Sequence, residues 1–288
     1  MVIINNQSTI IEQQLRQISN MLILNGILVN CPGLLHGKTG VAVFFFHYAQ
    51  YTGNGLFEDY ALDLIVEIQE QIHLNNSADY ERGIAGIGIG MDYLIRNNFL
   101  ETDNDFFEDL DQRMYRAVMY DPWQDFSLYD GLTGYGRYWI SRMHQQASSI
   151  QARECLSYIA VRIKQKLPNI PEKELTGVCC FLYDLQKIPG FEICIELLEQ
   201  CRKQSVDVCK SFYRLGNSAI GSIIRTYQSR HYSGCALHDE IGSICEQIQY
   251  LDMERPPVSM GLLTGYAGEG MLRLAALNQI NMSWMNLL

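Results

Sequence analysis

The chain has 288 residues, 48% of them hydrophobic, and a formal charge of −10 at pH 7. That acidic balance excludes a nucleic-acid partner, whose phosphates demand a basic surface, and no apolar run approaches the roughly 18 residues of a membrane span. The nine cysteines, an odd count, read as buried thiols of a reducing, cytoplasmic compartment.

The N terminus, MVIINNQSTIIEQQLRQ, shows no basic region followed by an apolar signal core. From Gly33 the chain reads GLLHGKTGVAVFFFHYAQ, and a nearly all-apolar helix is expected after Gly37. Next comes LFEDYALDLIVEIQEQI (Leu56 to Ile72), with apolar residues every three or four positions, the pattern of a helix with one face on a core. The opening stretch then returns as ERGIAGIGIGMDYLI from Glu81, YDGLTGYGRYWISR from Tyr129, ELTGVCCFLYDL from Glu174, LGNSAIGSIIRTYQ from Leu215 and GLLTGYAGEGMLRLAAL from Gly261. Between the fourth and fifth copies lies the amphipathic CIELLEQCRKQSVDVCK, whose Cys194, Cys201 and Cys209 fall at helical spacing and read as a core stripe.

The first positions of the G-x-x-G cores are Gly37, Gly83, Gly131, Gly177, Ser218 and Gly265, separated by 46, 48, 46, 41 and 47 residues. A shared motif at so regular a step marks a repeat, and a unit of about 46 residues with an outer and an inner helix matches a helical hairpin. The expected fold is all-α, a single domain over 1–288 with about six hairpins. The inner helices are apolar nearly all round and neither end has a polar capping repeat, so an α/α toroid is expected in place of an open solenoid. Copies one and six would then be neighbours, which accounts for their near identity. The glycines are assigned two tasks, one easing the turn and one keeping the first helical turn slim.

In a toroid every inner helix starts at one mouth, with unpaired N–H groups forming an anion-attracting basin. Its lining is expected from the residues before each first glycine: Leu35 and His36, Glu81 and Arg82, Tyr129 and Asp130, Leu175 and Thr176, Gly216 and Asn217, Leu263 and Thr264.

GLLHGKTGVAVFF, DYERGIAGIGIGMDYL, SLYDGLTGYGRYW and GLLTGYAGEGML resemble the inner-helix motifs of the lanthionine synthetase C (LanC-like) family, cyclases that add peptide cysteine thiols to dehydrated serine or threonine. The likeness recurs along nearly the whole chain and implies an α/α toroid. It also implies zinc, held in that family by a cysteine of a W-C-Y-G motif and a Cys-His pair of a C-H-G motif. Neither motif occurs here: Gly216 and Asn217, then Leu263 and Thr264, stand where they would lie, and the family's usual seven hairpins are reduced to six. The family's acid and base positions correspond to Ser127 and Thr176, although Asp130 lies near one turn and His36 near another.

Three functions are weighed. Cyclisation needs a thiolate, which zinc supplies by lowering the sulfur's pKa, and the motif that would hold the metal is missing, so no metal site and no cofactor are expected. Cys179 and Cys180 are adjacent on a helix, about 100° apart, and read as core thiols. A glycosidase-like site would pair Glu81 with Asp130 across a sugar bond, against the plainer reading that Glu81 pairs with Arg82 or another cation. The reading adopted is a LanC-like scaffold linked to ribosomal peptide modification, binding a precursor peptide or a peptide-modifying enzyme through Lys38, Arg82, Tyr129, Asn217 and Thr264. His36, Glu81 and Asp130 remain the candidates should chemistry persist. His36 serves equally as a loop cap, and His47, His73, His144, His231 and His238 read as solvated or structural.

Overall fold

The computed structural model describes residues 2–26, 28–72, 77–101, 105–204, 219–233, 259–263, 265–277 and 280–288. Every regular element among them is a helix, with no strand and no helix long and apolar enough to cross a membrane among the described residues. The chain divides into two compact units, one of residues 1–74 with 215–288 and one of residues 75–214.

In the first unit, α1 (Val2–Gly26) precedes an inner helix α2 (Lys38–Thr52), which is buried continuously from Lys38 to Ala49, as a run apolar on all sides requires. Gly53, with φ of 66°, ends it in the left-handed conformation, its N–H donating to Ala49 O at 2.8 Å. The chain then reverses into α3 (Gly55–Ile72), which buries only Ala61, Leu64, Ile65, Ile68 and Ile72. Phe45 of α2 meets Phe57 and Tyr60 of α3 at 6.0 and 4.8 Å between ring centres. Helix α10 (Ala219–Ser233) packs on a 3-10 segment at Met282–Leu287. The unit closes with α11 (Tyr266–Ala276), buried at every position, which packs on both α1 and α2. The helices nearest the two chain ends therefore touch.

The second unit alternates in the same way. Inner helices α4 (Ile84–Arg96), α6 (Leu132–Gln145) and α8 (Glu172–Leu185) pack in series, and outer helices α5 (Asp105–Met119), α7 (Ile150–Lys166) and α9 (Cys194–Gln204) cover them. The expected outer helix from Cys194 is described as far as Gln204; Cys209 lies outside the described residues. Cys194 and Cys201 are buried on one face of α9, as the stripe predicts.

The turns correct two expectations. The N-cap glycines Gly37, Gly83, Gly131 and Gly265 have φ of −128°, −102°, −99° and −116°, backbone any residue adopts, so no conformational relief is involved. What excludes a side chain is space. A Cβ at Gly37 would stand 2.2 Å from Cys31 O, at Gly83 2.5 Å from Ser77 O, and at Gly265 2.5 Å from Ser259 O. The loop folds back over the helix end, and its carbonyls take the first helical donors. Lys38 N donates to Cys31 O at 2.9 Å, Ile84 N to Ser77 O at 3.0 Å, Leu132 N to Asp125 O at 3.1 Å and Tyr266 N to Ser259 O at 3.1 Å. The donors that would make an anion basin are thus partly consumed by the chain itself, seven residues upstream each time.

The second glycine does keep the first turn slim. A Cβ at Gly40, Gly134 or Gly268 would lie 2.4, 2.7 or 2.0 Å from the carbonyl oxygen of Leu34, Leu128 or Leu262, the same register in three copies. A third glycine receives an aromatic edge from the following inner helix: Gly88 from Tyr138, Gly136 from Phe181, and Gly270 from Phe44. The step from copy six to copy one is built like the step from two to three. The fourth copy departs from the pattern, because α8 starts at Glu172 behind Pro171, whose fixed φ suits a helix start. Gly177, Leu175 and Thr176 consequently lie inside the helix, with both side chains buried, and not in a loop before it.

His47 sits within α2 at 6% exposure, and burial pushes its pKa from 6.5 down to about 4. Between these values the unfolded chain binds a proton that the folded chain refuses, so this residue's contribution is intact above pH 6.5 and lost as pH falls toward 4. At about 1.36 kcal/mol per pH unit the loss approaches 3 kcal/mol. Urea unfolding of the protein and of His47→Gln between pH 7 and 4 measures it. The parent should lose stability faster than the variant in that window, and parallel curves would show that His47 does not carry the effect.

Candidate functional site

The second unit brings four of the sequence-predicted residues together. Two loops, 77–83 before α4 and 125–131 before α6, are joined by their backbones: Tyr80 N and Glu81 N both donate to Tyr129 O, at 2.8 and 3.3 Å. Leu263 N donates to Leu35 O at 3.1 Å in the first unit, the equivalent bond between copies six and one.

Each loop is shaped by an aspartate that sequence reasoning missed. Asp79 accepts from Arg82 N at 2.6 Å and Gly83 N at 3.2 Å, and from the hydroxyl of Ser77. Asp125 accepts from Ser127 N at 2.9 Å and Ser127 Oγ at 2.8 Å, while its other oxygen accepts from Trp123 Nε1 at 3.0 Å. The signal was legible in an aspartate standing four residues before Gly83 and another six before Gly131, since a carboxylate folding back on the next few N–H groups is a common turn device. Glu174, buried at the start of α8, reaches Phe126 N at 2.9 Å, and the Arg137 guanidinium lies 4.4 Å from the centre of the Tyr80 ring. These fixtures hold the loops from beneath.

On this frame Glu81 is buried and Arg82 exposed, with Arg82 Nε 3.7 Å from Glu81 Oε1. The plainer expectation for Glu81 is therefore met. Tyr129 is buried, and Asp130 is half-buried. Burial first, then the nearby charges of Asp79 and Asp125, raise the Asp130 pKa above the ordinary aspartate value, with Arg82 opposing them. The same carboxylates, after burial, push Tyr135 up to about 12. Trp123 stands about half-exposed beside Asp125, whereas Trp139 is sealed in the core. The result is a surface of clustered carboxylates with one guanidinium and an aromatic face, suited to a cationic group.

The remaining candidates lie elsewhere. Lys38 is buried at the start of α2, and its ammonium is 2.5 Å from Glu67 Oε2 on α3, so it braces a hairpin. His36 is half-buried in the turn before Gly37, where Gly261 packs against its Cα. Asn217 and Thr264 lie outside the described residues, as do His73 and His238. His144 is exposed, and His231 stacks on Tyr227 at 6.2 Å.

Among the described residues, no three His, Cys, Asp or Glu side chains are grouped to hold a metal ion. At the sixth turn, where the resemblance would put a zinc-binding cysteine, Leu263 offers a buried hydrocarbon side chain and gives its N–H to Leu35 O. That chemistry does not fit zinc. A scan of protein-family models finds none that matches this chain, and a search of curated proteins finds no match either.

Proposed function

We propose that this chain is a LanC-like α/α toroid of about six hairpins that binds a peptide carrying positive charge, without zinc-dependent cyclisation. The 46-residue period supports the ring, together with the interlock of glycine and aromatic edge shared by the steps two to three, three to four and six to one. The single observation carrying the ligand class is Asp130. Its half-buried carboxyl is pushed toward protonation by burial and by Asp79 and Asp125, and a lysine, arginine or terminal ammonium of a peptide relieves that repulsion. Arg82 gives the site a donor for a backbone carbonyl or carboxylate of the same peptide. With the family's zinc-binding cysteine motifs missing from the sequence, the proposed role is to hold a precursor peptide, as a scaffold beside a peptide-modifying enzyme.

Titration of a lysine-bearing peptide and its glutamate counterpart tests this by fluorescence anisotropy. The lysine peptide should bind and the glutamate peptide should not. Asp130→Asn should weaken binding about tenfold, the equivalent of ~1.4 kcal/mol, and Arg82→Ala should also reduce affinity. Binding should fall with acidification at a higher pH than an ordinary aspartate would cause, because protonation removes the charge that recognises the peptide. Equal binding of both peptides, or an Asp130→Asn variant with full affinity, would sink the reading.

A further inference from the structure

The dipeptide Asn-Gly occurs at Asn25–Gly26 and at Asn54–Gly55, and the fold treats the two pairs in opposite ways. Asn25 and Gly26 are the last two residues of α1. The Asn25 carboxamide nitrogen donates to Met21 O at 2.8 Å, which ties the side chain back along the helix. Gly26 is buried, and a Cβ on it would stand 2.3 Å from Tyr60 Oη. As a helical residue it spends its N–H on the turn behind it. Asn54, by contrast, lies in the short link between α2 and α3, after Gly53 in its left-handed conformation, and Gly55 is the first residue of α3. Both are exposed, and a Cβ at Gly55 would meet nothing within 4 Å. The Gly55 N–H is one of those that a helix start leaves without an acceptor four residues back. Asn54 caps that start: its Oδ1 accepts from Leu56 N at 3.1 Å and its main-chain oxygen from Phe57 N at 3.2 Å.

We infer that Asn54 is a site of spontaneous deamidation in the folded protein and that the fold protects Asn25 from the same reaction. The Gly55 nitrogen, having given its proton to hydroxide, attacks Asn54 Cγ. A C–N bond forms, the bond from Cγ to the side-chain nitrogen breaks, and that nitrogen leaves as ammonia with a proton from solvent. Water then opens the five-membered succinimide at either of its carbonyls, giving aspartate or isoaspartate. The balance is one asparagine and one water giving one carboxylic acid and one ammonia. The hydrogen bond from Leu56 N favours the attack, because it stabilises the negative charge that Oδ1 gains in the tetrahedral intermediate. Glycine favours it too, since no Cβ obstructs the nitrogen and the backbone is free to swing toward the side chain. The products differ in consequence. Aspartate keeps the cap and adds a charge that the helix N terminus attracts, whereas isoaspartate lengthens the main chain by a methylene where α2 turns into α3. This chemistry is independent of what the loops before α4 and α6 bind.

The experiment ages the full-length protein at mildly alkaline pH and maps it by mass spectrometry, with an unaged sample digested alongside to set the background. The chymotryptic peptide 52–57, cut after Tyr51 and Phe57, should progressively exchange an NH for an O and split into two chromatographic forms. One of these should coelute with the same peptide from Asn54→Asp. The tryptic peptide 17–38, which carries Asn25, should stay unchanged at that position. Gly55→Ala, for which the turn has room, should slow the gain about tenfold, since the added Cβ obstructs the nitrogen and narrows its backbone freedom. In concentrated urea Asn25 should react at nearly the rate of Asn54, because the helix and the Tyr60 contact are gone. Mapping of the unsubstituted protein decides the matter even if a variant fails to fold. An Asn54 that stays intact, equal ageing of Asn25 and Asn54 in the folded protein, or an Asn25 still inert in urea would overturn the proposal.

Discussion

Gly268→Ala is expected to destabilise the protein by more than the roughly 1–3 kcal/mol of an ordinary overpacked core, and to leave much of it insoluble on expression. The added Cβ would stand 2.0 Å from Leu262 O and 2.9 Å from Leu262 C. Both atoms are backbone, and the surroundings leave them little room to withdraw. Gly268 N is itself bonded to Gly261 O at 3.3 Å, and Gly261 is pressed against the backbone of Leu35 and His36. Relief at one contact therefore creates strain at the next. Gly134→Ala, where the corresponding approach to Leu128 O is 2.7 Å, supplies the comparison and should cost less. Denaturant unfolding of both variants gives the order, and a Gly268→Ala protein of unchanged midpoint would show that the turn yields freely.

Arg273→Met is expected to cost about 3–5 kcal/mol, as breaking one side of a buried ion pair does. Arg273 is fully buried within α11; its Nη1 donates to Glu269 Oε2 at 2.9 Å and to Glu269 O at 3.1 Å, and its Nε donates to Gln14 Oε1 on α1 at 2.9 Å. Methionine fills much of the volume but takes from the Glu269 carboxylate, in a site 9% exposed, its guanidinium partner. The double variant Arg273→Met with Glu269→Met removes both charges and should recover most of the loss, because the pair's desolvation cost nearly equals its attraction. Urea unfolding of the four proteins forms the cycle. A single variant costing under about 1 kcal/mol, or a double variant no better than the single, would mean that the carboxylate finds other partners.

The sequence legible at the level of elements was a matter of periodicity. Leu64, Ile65, Ile68 and Ile72 recur at helical spacing and are buried, while the run from Lys38 to Ala49 shows no polar face and is buried throughout. Both follow from local geometry, since a helix's face is fixed by its own residue spacing. The repeat of about 46 residues likewise needs only the chain to be compared with itself. At the candidate site the sequence singled out Glu81, Arg82, Tyr129 and Asp130, which the structure places on two adjoining loops, because each stands within two residues of a glycine that marks a helix start. It misjudged Lys38, which has the same address but is held by Glu67, 29 residues away. It also missed Asp79 and Asp125, whose importance depends on which N–H groups they reach.

By itself, then, the sequence determined the helices, their alternation and the repeat, all set by interactions within a few residues or by residue type. Only the tertiary structure decided why the glycines are needed and which donors remain at the helix starts. A clash between Gly268 and Leu262 O, or the loss of the Ile84 N–H to Ser77 O, depends on where a folded loop puts its carbonyls. It decided the long-range partnerships too, such as Arg273 with Gln14 across 259 residues, because such pairs are selected by packing and carry no mark in local composition.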